Sequence, residues 1–154
     1  MNILIVDDHS GYIESLKSIV SYAFEDVKNL EITKSLNCEN AIQTIKHRVA
    51  INKTFDLAII DYIMPPYNEE GINNGGDLYT YLKKVMPSCK TLINTGILED
   101  FTLFEIDQKI KPDVLTLKSD LSVEDYIKVI QEIVQDKKFK SIYVTEKINE
   151  IWKH

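Results

Sequence analysis

The chain has 154 residues, 44% of them hydrophobic and 27% charged, and its 18 basic against 24 acidic side chains leave a net charge of −6 at pH 7. A chain of this length makes one domain plus a short extension and buries about two thirds of the surface its unfolded form exposes, so it needs neither disulfide nor structural zinc. The acidic balance argues against a basic face for nucleic acid, and no apolar run approaches the roughly 18 residues of a membrane helix. The expectation is a cytoplasmic protein with no membrane contact and no direct nucleic-acid contact. Cys38 and Cys89 lie far apart without CxxC spacing and read as small packing residues.

In chain order, residues 3–6 form a short, unalternating apolar run that ends at Asp7 and Asp8. Such runs fit strands buried on both faces of a parallel sheet. Helical spacing follows at Ile13, Leu16, Ile19, Val20 and Ala23, then a more polar strand at 30–36, then a helix through Ala41, Ile42, Ile45 and Val49. The most apolar run is Leu57–Ile60. Next comes a connection over 65–76, PPYNEEGINNGG, which neither helix nor strand should tolerate and which exceeds the usual two to six residues of a βα loop. With only Tyr67 and Ile72 to anchor it, it should be more mobile than the core. A third helix runs through Leu78, Tyr81, Leu82 and Val85, a strand over 91–93, a fourth helix near 101–110, a strand at Val114–Leu117 and a fifth helix over 123–134. Ser122, with Asp125 three residues on, should cap that last helix. Five strands alternating with five helices make a doubly wound α/β domain. Residues 1–138 are assigned to it, and 139–154 to a C-terminal extension with a short helix starting at Thr145 as N-cap.

In such a sheet ligands bind beyond the carboxyl ends of the strands. The residues just past the apolar runs are Asp7 and Asp8, Asp61, Thr95 and Lys118. Singly, each reads as a turn, a cap or a side chain reaching for water. Asp61 is less ordinary, because a carboxylate after the most apolar strand costs desolvation energy unless a cation or donor meets it. Together, three carboxylates, a hydroxyl and an ammonium meet the needs of phosphoryl transfer to a carboxylate. One acid is the nucleophile, others hold a hard Mg²⁺, and the cation and hydroxyl face phosphoryl oxygens.

The strings ILIVDDH at 3–9 and FDLAIIDYIMP at 55–65, the strand ending Thr95-Gly96 and the strand ending Lys118 resemble the receiver domain of bacterial two-component response regulators (CheY-like) over roughly residues 2–137. The resemblance implies a flavodoxin-like fold, a doubly wound five-stranded parallel sheet in order 2-1-3-4-5 with five helices. It implies Asp61 as phosphoacceptor and Asp7, Asp8, Asp61 and the backbone carbonyl of Ile63 as ligands of Mg²⁺. Thr95 is then the switch hydroxyl, Lys118 the phosphate-contacting lysine and Gly96 the small residue that keeps the site open. His9 is expected at the solvent side of the acids, a poor Mg²⁺ ligand. The implied partner is a sensor histidine kinase or phosphotransfer protein, with a phosphorylation-dependent homodimer left open. Such a module is a signalling switch rather than an enzyme.

This chain departs from the family in places. Ser119 stands where proline usually follows the lysine, so the Lys118-Ser119 bond should be trans, the cis form of a non-proline bond costing roughly 3–4 kcal/mol. Leu115 replaces an aromatic residue, and the loop before Gly75 is about six residues longer than expected of a short βα connection. Ile63 and Ile97, two positions past the acceptor and the threonine, offer no hydrogen bond to an attacking water, so the phosphoryl group should be lost slowly. The tail around Tyr143-Val-Thr145 resembles the linker helix of LuxR-type regulators, which makes transcription through a DNA-binding domain outside this chain the leading output. The alternatives are a stand-alone phosphorelay or docking receiver, and a haloacid-dehalogenase-type hydrolase. The last is disfavoured because those enzymes carry Asp-x-Asp on the first strand.

Overall fold

The computed structural model describes residues 1–96, 99–135, 139–140, 145 and 149–150. The apolar runs become the strands β1 (Asn2–Val6), β2 (Glu31–Ser35), β3 (Leu57–Ile60), β4 (Lys90–Thr95) and β5 (Val114–Leu117). They alternate with α1 (Ser10–Ala23), α2 (Cys38–Ala50), α3 (Gly75–Val85), α4 (Asp100–Glu105) and α5 (Val123–Ile133). The strands pair in parallel in the order β2-β1-β3-β4-β5, and a two-residue β6 (Phe139–Lys140) adds a sixth strand beside β5. The first two residues assigned to the extension therefore join the sheet. The helix expected from Thr145 through Trp152 lies for the most part outside the described residues.

Alternate side chains of each inner strand serve opposite faces, which is why the runs are continuously apolar. Leu4, Val6, Ala58, Ile60, Ile93 and Leu115 pack with α2 and α3 on one face. Ile3, Ile5, Leu57, Ile59, Leu92 and Val114 pack with α1 and α5 on the other. Cys38 and Cys89 are free thiols buried in the structure, as packing residues should be, and burial pushes the Cys89 thiol up to about 12. Three side chains cap helices, each worth about 1 kcal/mol. Asn37 accepts from Asn40 N at 2.7 Å, Asn74 from Asp77 N at 2.9 Å and Ser122 from Asp125 N at 3.1 Å. The last is the expected pair.

One expectation is corrected. The segment 65–76 is not a structureless loop. Tyr67 and Ile72 exchange backbone hydrogen bonds of 2.7 and 3.1 Å around a turn of 3-10 helix at Asn68–Glu70, and Gly71, at φ +69°, closes that turn. Its last two residues, Gly75 and Gly76, are the first turn of α3. The fourth helix covers the expected residues and is α-helical through Glu105. It widens into a π-turn over Ile106–Ile110, ended by Lys111 at φ +53° ahead of Pro112, whose ring disfavours further helix. The described residues contain no cis peptide bond, so Lys118-Ser119 is trans as expected, and the chain turns there with Asp120 N donating to Leu117 O at 3.1 Å.

Candidate functional site

Sheet hydrogen bonding continues one residue past the strands and fixes the site. Asp7 N donates to Ser35 O at 3.1 Å, Asp61 N to Val6 O at 2.9 Å and Lys118 N to Thr95 O at 2.7 Å. Three residues far apart in sequence are thereby held by backbone at the carboxyl edge of β1, β3 and β5. Their side chains converge. The Lys118 ammonium donates to Asp7 Oδ2 at 2.7 Å and to Asp61 Oδ2 at 3.1 Å. Asp7 is 2% and Asp61 5% exposed, so both carboxylates are held in a poorly solvated place that only a cation makes tolerable.

The remaining oxygens are also oriented. Asp7 Oδ1 accepts from His9 N at 2.9 Å, and Asp61 Oδ1 from Ile63 N at 3.2 Å. Burial pushes the Asp61 carboxyl above its ordinary value, against the opposing pull of Lys118. For Lys118, burial acts downward, but the hydrogen bonds and charges of Asp7 and Asp61 more than offset it and hold the ammonium above the ordinary lysine value.

Asp8 is exposed and His9 more so, with His9 Nδ1 3.0 Å from Asp8 Oδ1 and 3.3 Å from Asp7 Oδ1. His9 is thus beside the acids and open to solvent, as expected. One ligand atom from each of Asp7, Asp8, His9 and Asp61 fits within a span of 4.8 Å. Three carboxylates so close suit a hard divalent cation such as Mg²⁺, which takes oxygen ligands. Thr95 is fully buried, and its hydroxyl has no hydrogen-bond partner among the described residues. An unmet buried hydroxyl costs about 1–3 kcal/mol, a cost that a bound group could relieve. Ile63 is 55% exposed at the rim, and Ile97 lies outside the described residues.

An open groove of about 710 Å³ beside the acids is lined by Asp8, His9, Ser10, Gly11, Tyr12 and Lys118. Three residues around this site went unmarked in the sequence. Gly75 packs so tightly on Asp61 that a Cβ there would lie 2.0 Å from the Asp61 carbonyl oxygen. Tyr12 carries the Lys118 ammonium 4.3 Å from its ring centre, and Asn94 donates to the Tyr12 hydroxyl at 2.6 Å. No local pattern announces any of them, since each matters through a residue distant in sequence.

No protein-family model matches the chain, and no curated protein matches it in sequence. Solved structures do match. A LuxR-family two-component response regulator from Aurantimonas sp. SI85-9A1 superposes with a TM-score of 0.75 at 15% identity, over 99% of this chain and 98% of that one. The isolated receiver domain of RcsB from Salmonella enterica serovar Typhimurium, solved with the phosphomimetic BeF3−, gives 0.74 at 19% identity over 96% and 98%. The fold is that of a response-regulator receiver domain. A CheY-like receiver domain protein from Methanospirillum hungatei JF-1 gives 0.66 at 22% identity over 88% and 94%. At these identities the likeness is one of fold. The receiver-type sheet carries the acids and the lysine on its carboxyl edge, where doubly wound sheets bind ligands. No helix among the described residues is long and apolar enough to cross a membrane.

Proposed function

We propose that the chain is a phosphorylation-switched receiver of a two-component system, taking a phosphoryl group on Asp61 from a sensor histidine kinase or phosphotransfer protein in the cytoplasm. The observation that carries this reading is the Lys118 ammonium shared between the buried carboxylates of Asp7 and Asp61. A resting ion pair alone would not need the unmet Thr95 hydroxyl, nor the more solvated Asp8, near the same edge. In the transfer, one Asp61 oxygen forms a bond to phosphorus. The donor's own bond to phosphorus breaks, and its electron pair leaves with the donor, an imidazole from phosphohistidine or acetate from acetyl phosphate. Lys118 and Thr95 donate to oxygens of the group received. Asp7, Asp8 and Asp61, with the backbone carbonyl of Ile63, would hold Mg²⁺, which when bound supplies charge that neutralises the phosphoryl oxygens.

The output is transcription, through a DNA-binding domain outside this chain. Likeness to a LuxR-family regulator and to RcsB supports that choice. The closed segment 66–75 starts five residues past Asp61 and is ion-paired to α2 through Lys46 and Glu70 at 2.7 Å. It selects the kinase by limiting approach to the acceptor. Incubation with acetyl phosphate and Mg²⁺, followed by intact mass and peptide mapping, tests the reading. One phosphoryl group on Asp61, absent from Asp61→Asn, is expected. An adduct on Asp7 or Asp8 instead, or full labelling of the Asn variant, overturns it.

A further inference from the structure

The face of the sheet under α1 and α5 is apolar except near its carboxyl edge, where Asn94 and Thr116 stand opposite each other on β4 and β5. Asn94 is 1% exposed and Thr116 fully buried. Two buried polar side chains in the middle of strands are costly unless each is met by a partner. Here the Thr116 hydroxyl donates to Asn94 Oδ1 at 2.8 Å, and Asn94 Nδ2 donates to the Tyr12 hydroxyl at 2.6 Å. The pair therefore grips the tip of a tyrosine on the first turn of α1. The ring of that tyrosine lies 4.3 Å from the Lys118 ammonium. Lysine is a flexible four-carbon stem with about 2 kcal/mol of rotamer entropy, and its two hydrogen bonds to acids fix only its end.

From this arrangement we infer that Tyr12 is a positioning residue for Lys118. Its ring, anchored through Asn94 and Thr116, forms a seat that holds the ammonium between Asp7 and Asp61. Cation–π attraction is strongest where water is excluded, and the Lys118 side chain is only 19% exposed. The seat is a feature of this chain's own side chains, and it goes beyond the reading of Asp61 as acceptor. Only the kinetic arm of its test rests on that reading.

The test is lysine acylation with a water-soluble acetyl ester, followed by peptide mass spectrometry, with the exposed Lys53 as internal reference. A held amine reacts slowly, and a released one reacts quickly. Tyr12→Leu removes the seat and should speed acylation of Lys118 about tenfold relative to Lys53, while Tyr12→Phe, which keeps the ring, should speed it about twofold to threefold. Asn94→Leu combined with Thr116→Val keeps the ring, frees its tip, and should also raise the rate by about threefold. Acylation of Lys118 at the wild-type rate in Tyr12→Leu overturns the inference. Should that variant lose its circular-dichroism signature, wild-type rates in both Tyr12→Phe and the double variant overturn it equally. In the kinetic arm, phosphoryl incorporation from acetyl phosphate should fall in the same order as the acylation rates rise. If the wild type takes no phosphoryl group on Asp61, the receiver reading falls while the acylation rates still decide the role of Tyr12.

Discussion

Replacing Gly75 by Ala probes how tightly the acceptor is framed. A Cβ at Gly75 would lie 2.0 Å from the Asp61 carbonyl oxygen and 2.8 Å from both the Asp61 carbonyl carbon and Tyr62 Cα. Real Cβ atoms stay at least 3.0 Å from such atoms, so backbone must move by about 1 Å. The obstacles are main chain, which no rotamer change can clear. Overpacking of this kind costs about 1–3 kcal/mol, and the better helix propensity of Ala returns at most about 1 kcal/mol. A net loss of about 1–2 kcal/mol in urea unfolding is expected. Function should suffer more, because a shift of about 1 Å at a reacting group can cost on the order of a hundredfold in rate. Gly76→Ala is the internal control. The atoms nearest its Cβ would be side-chain atoms of Asn74, Tyr62 and Ile110 at 3.0 to 3.1 Å, which can give more easily than main chain. The assay is urea denaturation alongside phosphoryl incorporation from acetyl phosphate, for both variants. If Gly75→Ala matches the wild type in both, or Gly76→Ala proves the more damaging, the framing argument is refuted.

Asp113 Oδ2 accepts from Thr91 N at 3.0 Å, Thr91 Oγ1 at 3.1 Å and Lys83 Nζ at 3.1 Å. Burial pushes this carboxyl up, but those donors more than offset it and leave the group below its ordinary 3.8. The stability it contributes is therefore complete above about pH 4 and lost as pH falls through the lower folded value. Asp113→Asn should cost about 1–3 kcal/mol at pH 7, and the gap to wild type in urea midpoints should close below pH 4; a gap of the same size at pH 3 would refute the assignment. Asp8→Asn should weaken Mg²⁺ binding in a direct titration, because a hard cation loses an anionic oxygen, and an unchanged curve would remove Asp8 from the ligand set. Ile63→Asn should shorten the lifetime of the phosphoryl group by giving an attacking water a hydrogen bond at the exposed rim, whereas equal lifetimes would mean that access is set elsewhere.

The inner strands were legible because both faces of β1, β3, β4 and β5 are covered, which leaves continuous apolar runs. The second strand was harder to read because β2 is an edge strand, and only Ser35 in it is buried. The acids and the lysine were legible for a related reason. In a parallel sheet the residue just after each run must fall at one edge, so strand ends alone bring them together. The seat of Lys118 was not legible, since Tyr12 and Asn94 are 82 residues apart and Asn94 and Thr116 are 22 apart. A lone polar residue in an apolar strand does not name its partner. The widening of the fourth helix had no signal either. Pro112 marked where the helix must stop, but nothing in the sequence marked the extra residue in its last turn, where Ile106 is buried in the core.

The turn and bridge in the long β3–α3 connection were not foreseen, because its composition gives no sign of them while its closure depends on a few apolar contacts. Asn, Glu and Gly dominate it, yet Met64 and Ile72 are each 6% exposed and pack in the core at its two ends. The antiparallel bridge between Tyr67 and Ile72 then shortens the free chain to a small turn, which lowers the entropy the segment retains. Its far end returns to the acceptor, where Gly75 N donates to Tyr62 O at 2.8 Å. Both ends of the insertion are thus pinned to backbone next to Asp61 without replacing any of the groups that orient its carboxylate. The frame that holds the Asp61 carboxylate is the one the sheet supplies. Extra length in this connection leaves the positions of Asp7, Asp61 and Lys118 to the strands that carry them.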